Sequence, residues 1–181
     1  MPLTCVVLAA GFSSRLGRPK QLLFVDGETL VAHAARIARE VAPVVVVIPA
    51  NAPDIREALD GVDVTIVENP AASAGMASSI RCGVSAVSDD VLLTLCDQPL
   101  VTSAHLRALV AAGAAIAATE YGGALGVPAM FAAEFRADLL KLEGDVGARS
   151  IIQQHRDRVV AVAFDPAAVD IDSEADLRRL H

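Results

Sequence analysis

Lysine is almost missing from this chain: of its 15 basic residues 13 are arginines, and the two lysines are Lys20 and Lys141. A positive surplus is missing too. The formal charge of −7 argues against a protein that grips nucleic acid through a basic surface, so any phosphate site must be a local positive spot on an acidic molecule. The three cysteines, Cys5, Cys82 and Cys96, lie far apart with no CxxC spacing, which suits buried thiols in a reducing compartment. His33, His105, His155 and His181 are scattered and form no metal-binding spacing. Long apolar runs are absent as well: the uncharged stretch from Ala108 to Thr119 is too short to span a bilayer. No basic residue precedes the apolar N-terminal stretch, which argues against a signal peptide. The expectation is a cytoplasmic protein with neither nucleic acid nor membrane as partner. What is present, 54% apolar and 20% charged residues over 181 positions, is the composition of one globular domain, residues 1–181, able to bury a substantial core.

The scarcity of lysine gives weight to where one of them sits. Residues 8–23 read LAAGFSSRLGRPKQLL and follow an apolar run. Gly11, Ser13, Ser14, Arg15, Gly17 and Lys20 fall within ten residues at the end of a predicted strand. Two glycines let backbone N–H groups approach a ligand closely, and the hydroxyls, guanidinium and ammonium add donors. A triphosphate needs donors, positive charge and no bulk. A plain strand-to-helix turn with surface charges rarely needs all six groups.

Leu3–Ala9, Val44–Ile48, Val62–Val67 and Val91–Cys96 are short runs rich in β-branched residues, as in strands buried on both faces of a parallel sheet. Between them Leu30, Val31, Ala34, Ile37, Ala38 and Val41 share one helical face, and Met76, Ile80, Val84 and Val87 form a second stripe. This alternation predicts an α/β sandwich with a mostly parallel sheet. In the second half, 106–110, 148–155 and 174–180 read as helices, and Val159–Ala163 as a strand. Residues 114–119 fit either state. Gly126–Phe131 reads as a strand whose Pro128 belongs at an edge or a bulge.

Ligands of open α/β sheets bind outside the C-terminal ends of the strands, where three further segments should meet the opening loop. Asp97 follows the predicted strand 91–95 and either caps the next turn or, beside a triphosphate, holds a divalent cation. Asp170 and Asp172 alternate around Ile171 on one face, and Ser173 with Asp176 resembles a capping box, which leaves Asp172 free for another role and makes it the candidate second metal ligand. Gly75 to Ser79 opens a helix, with Ser73 adequate as its cap, Met76 reading as core, and Ser78 and Ser79 offering hydroxyls to a base or ribose. Two glycine clusters follow. One lies near the chain's single tyrosine, Tyr121. In the other, Asp145 is placed to cap the next helix, and Arg149 is either an acceptor-phosphate ligand or a solvated helix residue.

Taken together, LAAGFSSRLGRPKQLL (8–23), GMASSI (75–80), CDQPLV (96–101), GVPAMF (126–131), LEGDVGARSII (142–152) and DIDSEADL (170–177) resemble the MobA-like nucleotidyltransferase family, most closely its molybdenum-cofactor cytidylyltransferases. The resemblance implies a Rossmann-like three-layer α/β/α sandwich of the nucleotide-diphospho-sugar transferase type and Mg²⁺-dependent nucleotide transfer, with Mn²⁺ as a possible substitute. It implies that Leu8, Ala9, Ala10 and Gly11 run along the nucleotide, with Gly11, Ser13 and Arg15 at its phosphates and Lys20 on the triphosphate. Gly75, Met76 and Ser79 would lie near base and ribose, and Pro128, Gly144, Asp145 and Arg149 on the acceptor side. Asp97 and Asp172 match the family's metal-binding aspartates, and Arg15, Lys20 and Asp97 its catalytic groups. The implied partners are CTP, a phosphorylated acceptor (molybdopterin) and, transiently, a molybdoenzyme or its chaperone. The chain departs from the family at Leu16, where methionine is common, and at 70–74, where the residues are small. The alternatives are a guanylyltransferase, a sugar- or alcohol-phosphate transferase, or a nucleotide-binding delivery protein without chemistry.

Guanylyltransferases of the family carry a second glycine where this chain has Ala10, so the Ala10 methyl is placed to favour the smaller pyrimidine. Ala10→Gly is expected to improve GTP use relative to CTP in competition assays, by no more than the roughly 10–200-fold that one methyl discriminates. An unchanged ratio would mean that the base is chosen elsewhere.

Overall fold

The computed structural model of the chain describes residues 2–11, 17–172 and 175–176. β1 (Leu3–Leu8) is followed, after a 3-10 turn over Lys20–Leu22, by the short ribbon β2 (Phe24–Val25) and β3 (Glu28–Thr29) and by α1 (Leu30–Arg39). Then come β4 (Val44–Pro49), α2 (Pro53–Glu57), β5 (Thr65–Asn69), α3 (Met76–Ser85) and β6 (Asp90–Leu95). The second half holds α4 (Ser103–Ala111), β7 (Ile116–Tyr121), β8 (Ala124–Phe131), α5 (Arg136–Leu139), α6 (Arg149–Gln154) and β9 (Val159–Ala163). Seven strands form one sheet in the order β5-β4-β1-β6-β8-β7-β9. Every neighbouring pair is parallel except those involving β8, which is antiparallel to β6 and β7.

The two-residue alternation of the central strand builds the layers. Val6, Leu8 and Ala10 point into a core with α3 and α6 residues such as Ile80, Val84 and Ile152. Cys5, Val7 and Ala9 point into the opposite core with Val31 and Ala35 of α1 and Leu106 of α4. Helices on both faces explain why β1, β4 and β6 read as unbroken apolar runs. Thr29 caps α1 by accepting from Ala32 N at 3.3 Å, and Thr102 caps α4 by accepting from His105 N at 3.2 Å. Among the described residues no helix is long and apolar enough to cross a membrane. β9, sequence VVAVA, is an edge strand without charge or proline.

One strand expectation needs correction. The strand placed at 62–67 begins at Thr65, because Val62 still closes the turn after α2 through its N–H to Leu59 O. Val62 and Val64 are apolar because they pack against the α1-side core, not because they pair. Of the two places expected for Pro128, an edge or a bulge, the structure shows the second, within an internal strand. The β6 ladder stops at Leu93 opposite Ala129, and the β7 register shifts between Ala118 and Thr119, so the missing N–H of Pro128 falls at an irregularity. Residues 114–119 resolve as strand from Ile116 onward. The closing helix predicted over 174–180 lies outside the described residues except at 175 and 176, which are helical.

α3 lies so close to the sheet that a Cβ on Gly83 would stand 2.5 Å from Val6 Cγ1 and 2.9 Å from Val47 Cγ2. Gly83→Ala is expected to lower stability by up to about 2 kcal/mol. That is an overpacking cost of about 1–3 kcal/mol less the roughly 1 kcal/mol alanine gains over glycine in a helix. Urea unfolding midpoints would show it, and a raised midpoint would mean that α3 shifts at no cost.

Candidate active site

The parallel strands deliver their C-terminal ends to one edge of the sheet. Past β1 the chain stays pinned: Ala9 N donates to Val47 O at 2.8 Å, and the buried Gln21 amide donates to Ala9 O at 2.8 Å and Gly11 O at 2.9 Å. Gln21 thus fixes the opening loop from behind, a role that sequence reasoning missed; its signal is a glutamine beside Lys20 in an otherwise apolar stretch. Ser13 and Arg15, with Ser14 and Leu16, lie outside the described residues.

Lys20 and the aspartates meet at this edge. The Lys20 ammonium forms an ion pair with Asp97 Oδ2 and lies 3.2 Å from Asp172 Oδ1. The Lys20 and Asp97 side chains are 15% and 14% exposed, whereas Asp172 is open to solvent. Asp97 leaves β6 through Cys96, whose N–H donates to Leu8 O at 3.2 Å. Asp172 is brought in by its neighbour: Ile171 N donates to Asp97 O at 2.9 Å, and the fully buried Ile171 side chain packs with Leu23, Val25 and Leu30. Asp176 accepts from Asp172 N at 3.2 Å, one residue before the position the capping-box pattern implied.

Burial works against the Lys20 ammonium, but Asp97 and then Asp172 outweigh it and raise its pKa. Asp170, on the same segment, is pushed up to about 6 by burial of its inner side and by the charges of Asp97 and Asp172, with Lys20 and Gln98 acting the other way. Asp97 Oδ1 is buried and has no hydrogen-bond partner among the described residues. The cluster therefore carries more negative charge than Lys20 alone neutralises. Its donors are hard carboxylate oxygens, the set that suits Mg²⁺ or Mn²⁺. Among the described residues no group of three or more acidic, histidine or cysteine side chains is arranged to hold a metal ion. Burial also raises the Cys96 thiol well above its ordinary range, which leaves it inert beside Asp97.

A cavity of about 540 Å³ extends from this cluster. Leu8, Ala10, Gly11 and Lys20 form one wall, Ala72 to Met76 with Ser79 the other, and Cys96 with Asp97 the end. The expected Ser73 cap of α3 is not made; Ser73 lies in a 3-10 turn over Ala72–Ala74, and the capping residue is Gly75. The N-terminus of α3 is instead satisfied from far away, with Ala77 N donating to Gly144 O at 3.2 Å and Met76 N to Asp145 Oδ1 at 3.4 Å. Asp145 therefore serves α3, not α6, whose N-terminus has no side-chain cap. Gly75 must be glycine for two reasons: its φ is +100°, and a Cβ would stand 2.5 Å from Gly144 O.

Asn69, also missed, donates to Ser78 Oγ at 2.9 Å and Ser79 Oγ at 3.1 Å. Ser78 spends its proton on Gly75 O at 2.8 Å, so Ser79 is the hydroxyl presented to the cavity. Met76, whose spacing read as core, is 40% exposed at the rim. On the far side Asp145 reaches the cavity, Arg149 is exposed, and Pro128 is buried with its carbonyl accepting from Thr119 Oγ1 at 2.6 Å.

A profile of the MobA-like NTP transferase domain matches residues 5–159. The chain belongs to the MobA-like NTP transferase family. The fold of this MobA-like domain is similar to that of Rv0371c from Mycobacterium tuberculosis H37Rv, with a TM-score of 0.83 and 33% identity over 99% of this chain and 98% of that one. A second structure of Rv0371c is a complex with manganese. A nucleotidyl transferase from Methanothermobacter superimposes with a TM-score of 0.86 at 25% identity, covering 99% and 95% of the two chains. Over 124 residues the chain is 38% identical to the bifunctional protein GlmU of Kineococcus radiotolerans, a match spanning 64% of this chain but 25% of that protein. The chain thus matches about a quarter of the length of this curated relative.

The raised pKa of Asp170 fixes the sign of its effect. The folded state holds this proton more tightly than the unfolded chain, so ionisation costs stability between the ordinary aspartate value and about 6. Asp170→Asn is expected to gain on the wild type in urea midpoint as pH rises through that window, and no further above it. A difference that does not change with pH would mean that Asp170 ionises as in the unfolded chain.

Proposed function

We propose that this protein transfers CMP from CTP to the phosphate of molybdopterin and releases pyrophosphate. The observation that carries the reading is the end of the cavity, where the one described lysine of the glycine-rich segment lies between Asp97 and Asp172. The family membership and the manganese complex of Rv0371c support nucleotide transfer with a divalent cation. Ala10 and the likeness to molybdenum-cofactor cytidylyltransferases support CTP and molybdopterin.

In this reading the Leu8–Gly11 wall and Ser79 hold the nucleoside, and Gly11, Ser13, Arg15 and Lys20 hold the triphosphate. Gly75 and Met76 frame the base side, while Pro128, Gly144, Asp145 and Arg149 lie on the acceptor side. Asp97 and Asp172 would hold the divalent cation, which neutralises the repulsion between two phosphates when bound. An oxygen of the acceptor phosphate bonds to the α-phosphorus, the bond from that phosphorus to the β-bridging oxygen breaks, and pyrophosphate leaves with the electron pair. The attacking phosphate is already an anion at pH 7, so no general base is needed; alignment and charge neutralisation suffice. Lys20 and Arg15 stabilise the departing pyrophosphate.

Calorimetric titration of the four ribonucleoside triphosphates, with and without Mg²⁺, tests the reading. CTP is expected to bind selectively and more weakly without metal, and Asp97→Ala to fold normally and turn over at least about 10²-fold more slowly. GTP preference would move the assignment to guanylyl transfer. Tight CTP binding with no pyrophosphate release, acceptor present, would make the chain a delivery protein.

A further inference from the structure

The ligand edge carries one buried polar side chain that the reaction above leaves unused. Gln98 follows Asp97 directly, yet it is only 4% exposed. Its amide nitrogen donates to two backbone carbonyls, Ala167 O at 2.8 Å and Val127 O at 3.3 Å, and carries one proton for each. Its Oε1 is buried with no hydrogen-bond partner among the described residues. A buried acceptor left in that state costs stability that an apolar side chain of similar size would not lose. Packing alone therefore does not call for glutamine at 98; the two carbonyls do.

Both carbonyls lie where the sheet does not serve them. The β6–β8 ladder ends at Leu93 opposite Ala129, so Val127 stands beyond its last pair. On the β7 side, residue 127 falls within the register shift between Ala118 and Thr119. Ala167 belongs to the 3-10 turn Asp165–Ala168, which follows β9 and begins the segment leading to Asp172. The turn that carries Gln98 is held without the Gln98 side chain. Cys96 N donates to Leu8 O at 3.2 Å, Val101 N to Gln98 O at 3.2 Å, and His33 Nε2 to Pro99 O at 3.1 Å. The amide is thus a fixed arm reaching from this turn to the returning segment. Further along that segment, Ile171 N donates to Asp97 O at 2.9 Å. Asp97 and Gln98 therefore grip residues 167–171 at both ends, and Asp172 is the next residue.

We infer that Gln98 is a positioning residue: its amide holds the start of the returning segment, so that the Asp172 carboxylate faces Asp97 and the two form a pair for the divalent cation. The inference rests on the nucleotide-transfer reading and deepens it, because it gives the cation site a part that touches neither metal nor substrate. Gln98 acts through Asp172, while Asp97 keeps its place by the backbone bonds of its own turn.

Mn²⁺ binding to the full chain, read from loss of the free-ion electron paramagnetic resonance signal, tests this together with hydrogen–deuterium exchange. Gln98→Met keeps the length of the side chain and removes its donors. It is expected to bind Mn²⁺ about 10-fold more weakly and to exchange the amides of 167–172 about 10-fold faster, the scale of a lost buried hydrogen bond, with exchange in β1 and β4 unchanged. Gln98→Asn, too short to reach Ala167 O, should show the same losses and serves if Gln98→Met does not fold. In an Asp172→Asn background Gln98→Met should change Mn²⁺ affinity by less than about twofold. Thr119→Val controls for lost stability. Thr119 is also buried and holds the neighbouring carbonyl, Pro128 O, at 2.6 Å. This variant should lower the urea midpoint and leave Mn²⁺ affinity within about twofold of wild type. Equal weakening in Gln98→Met and Thr119→Val, or unchanged exchange over 167–172 in Gln98→Met, overturns the inference, while Mn²⁺ binding by the wild type leaves nucleotide transfer standing. A wild type that binds no Mn²⁺, alone or with CTP, overturns the cation site itself and the inference with it.

Discussion

The Lys20 ammonium joins two parts of the chain that sequence keeps far apart. Asp97 arrives at the end of β6, Asp172 on the segment returning after β9, and each carboxylate reaches the same nitrogen. The hydrogen bond from Ile171 N to Asp97 O sets the distance between them, and the buried Ile171 side chain fixes the returning segment to the ribbon that follows Lys20. The ligand edge is thereby closed by one ion-pair cluster and one small apolar cluster. Neither works alone: without Ile171 the second carboxylate has no fixed position, and without Lys20 Asp97 is an uncompensated, largely buried charge.

The same arrangement stores an electrostatic imbalance. Asp97, Asp170 and Asp172 share one described ammonium; the elevated pKa of Asp170 comes first from burial and then from the charges of its two neighbours. In the proposed reading, a divalent cation at these carboxylates would offset that surplus and favour the further negative charge of phosphates. The strongly negative protein as a whole does not conflict with an anion-binding loop.

The parts of this edge that were legible in the sequence are those whose chemistry is local. Glycines, hydroxyls and a rare lysine within ten residues mark the loop, and a carboxylate directly after a β-branched run marks a strand end. The sheet was legible because strands buried on both faces leave long apolar runs. Contacts made at a distance were not legible. Asp145 reads as the cap of the helix that follows it, yet it serves a helix that begins 69 residues earlier. Gln21 and Asn69 look like ordinary polar residues until burial shows which carbonyls and hydroxyls they hold. Val62 and Val64 misplaced a strand because a core-facing loop and a strand have the same apolar signature. For Ser13 and Arg15, which lie outside the described residues, the sequence pattern is the sole basis of their assignment.

The two margins of the sheet are not equivalent, and β9 is the weaker one. Its five apolar residues include no lysine, proline or inward charge, and among the described residues no strand pairs with its outer side. Such a margin accepts another strand from any copy that comes close enough. What keeps copies apart is collective: a formal charge of −7 makes neighbouring molecules repel. Colloidal behaviour therefore falls to the acidic surface rather than to the strand itself, and mild acid or high salt, which weaken that repulsion, favour pairing of this margin between copies.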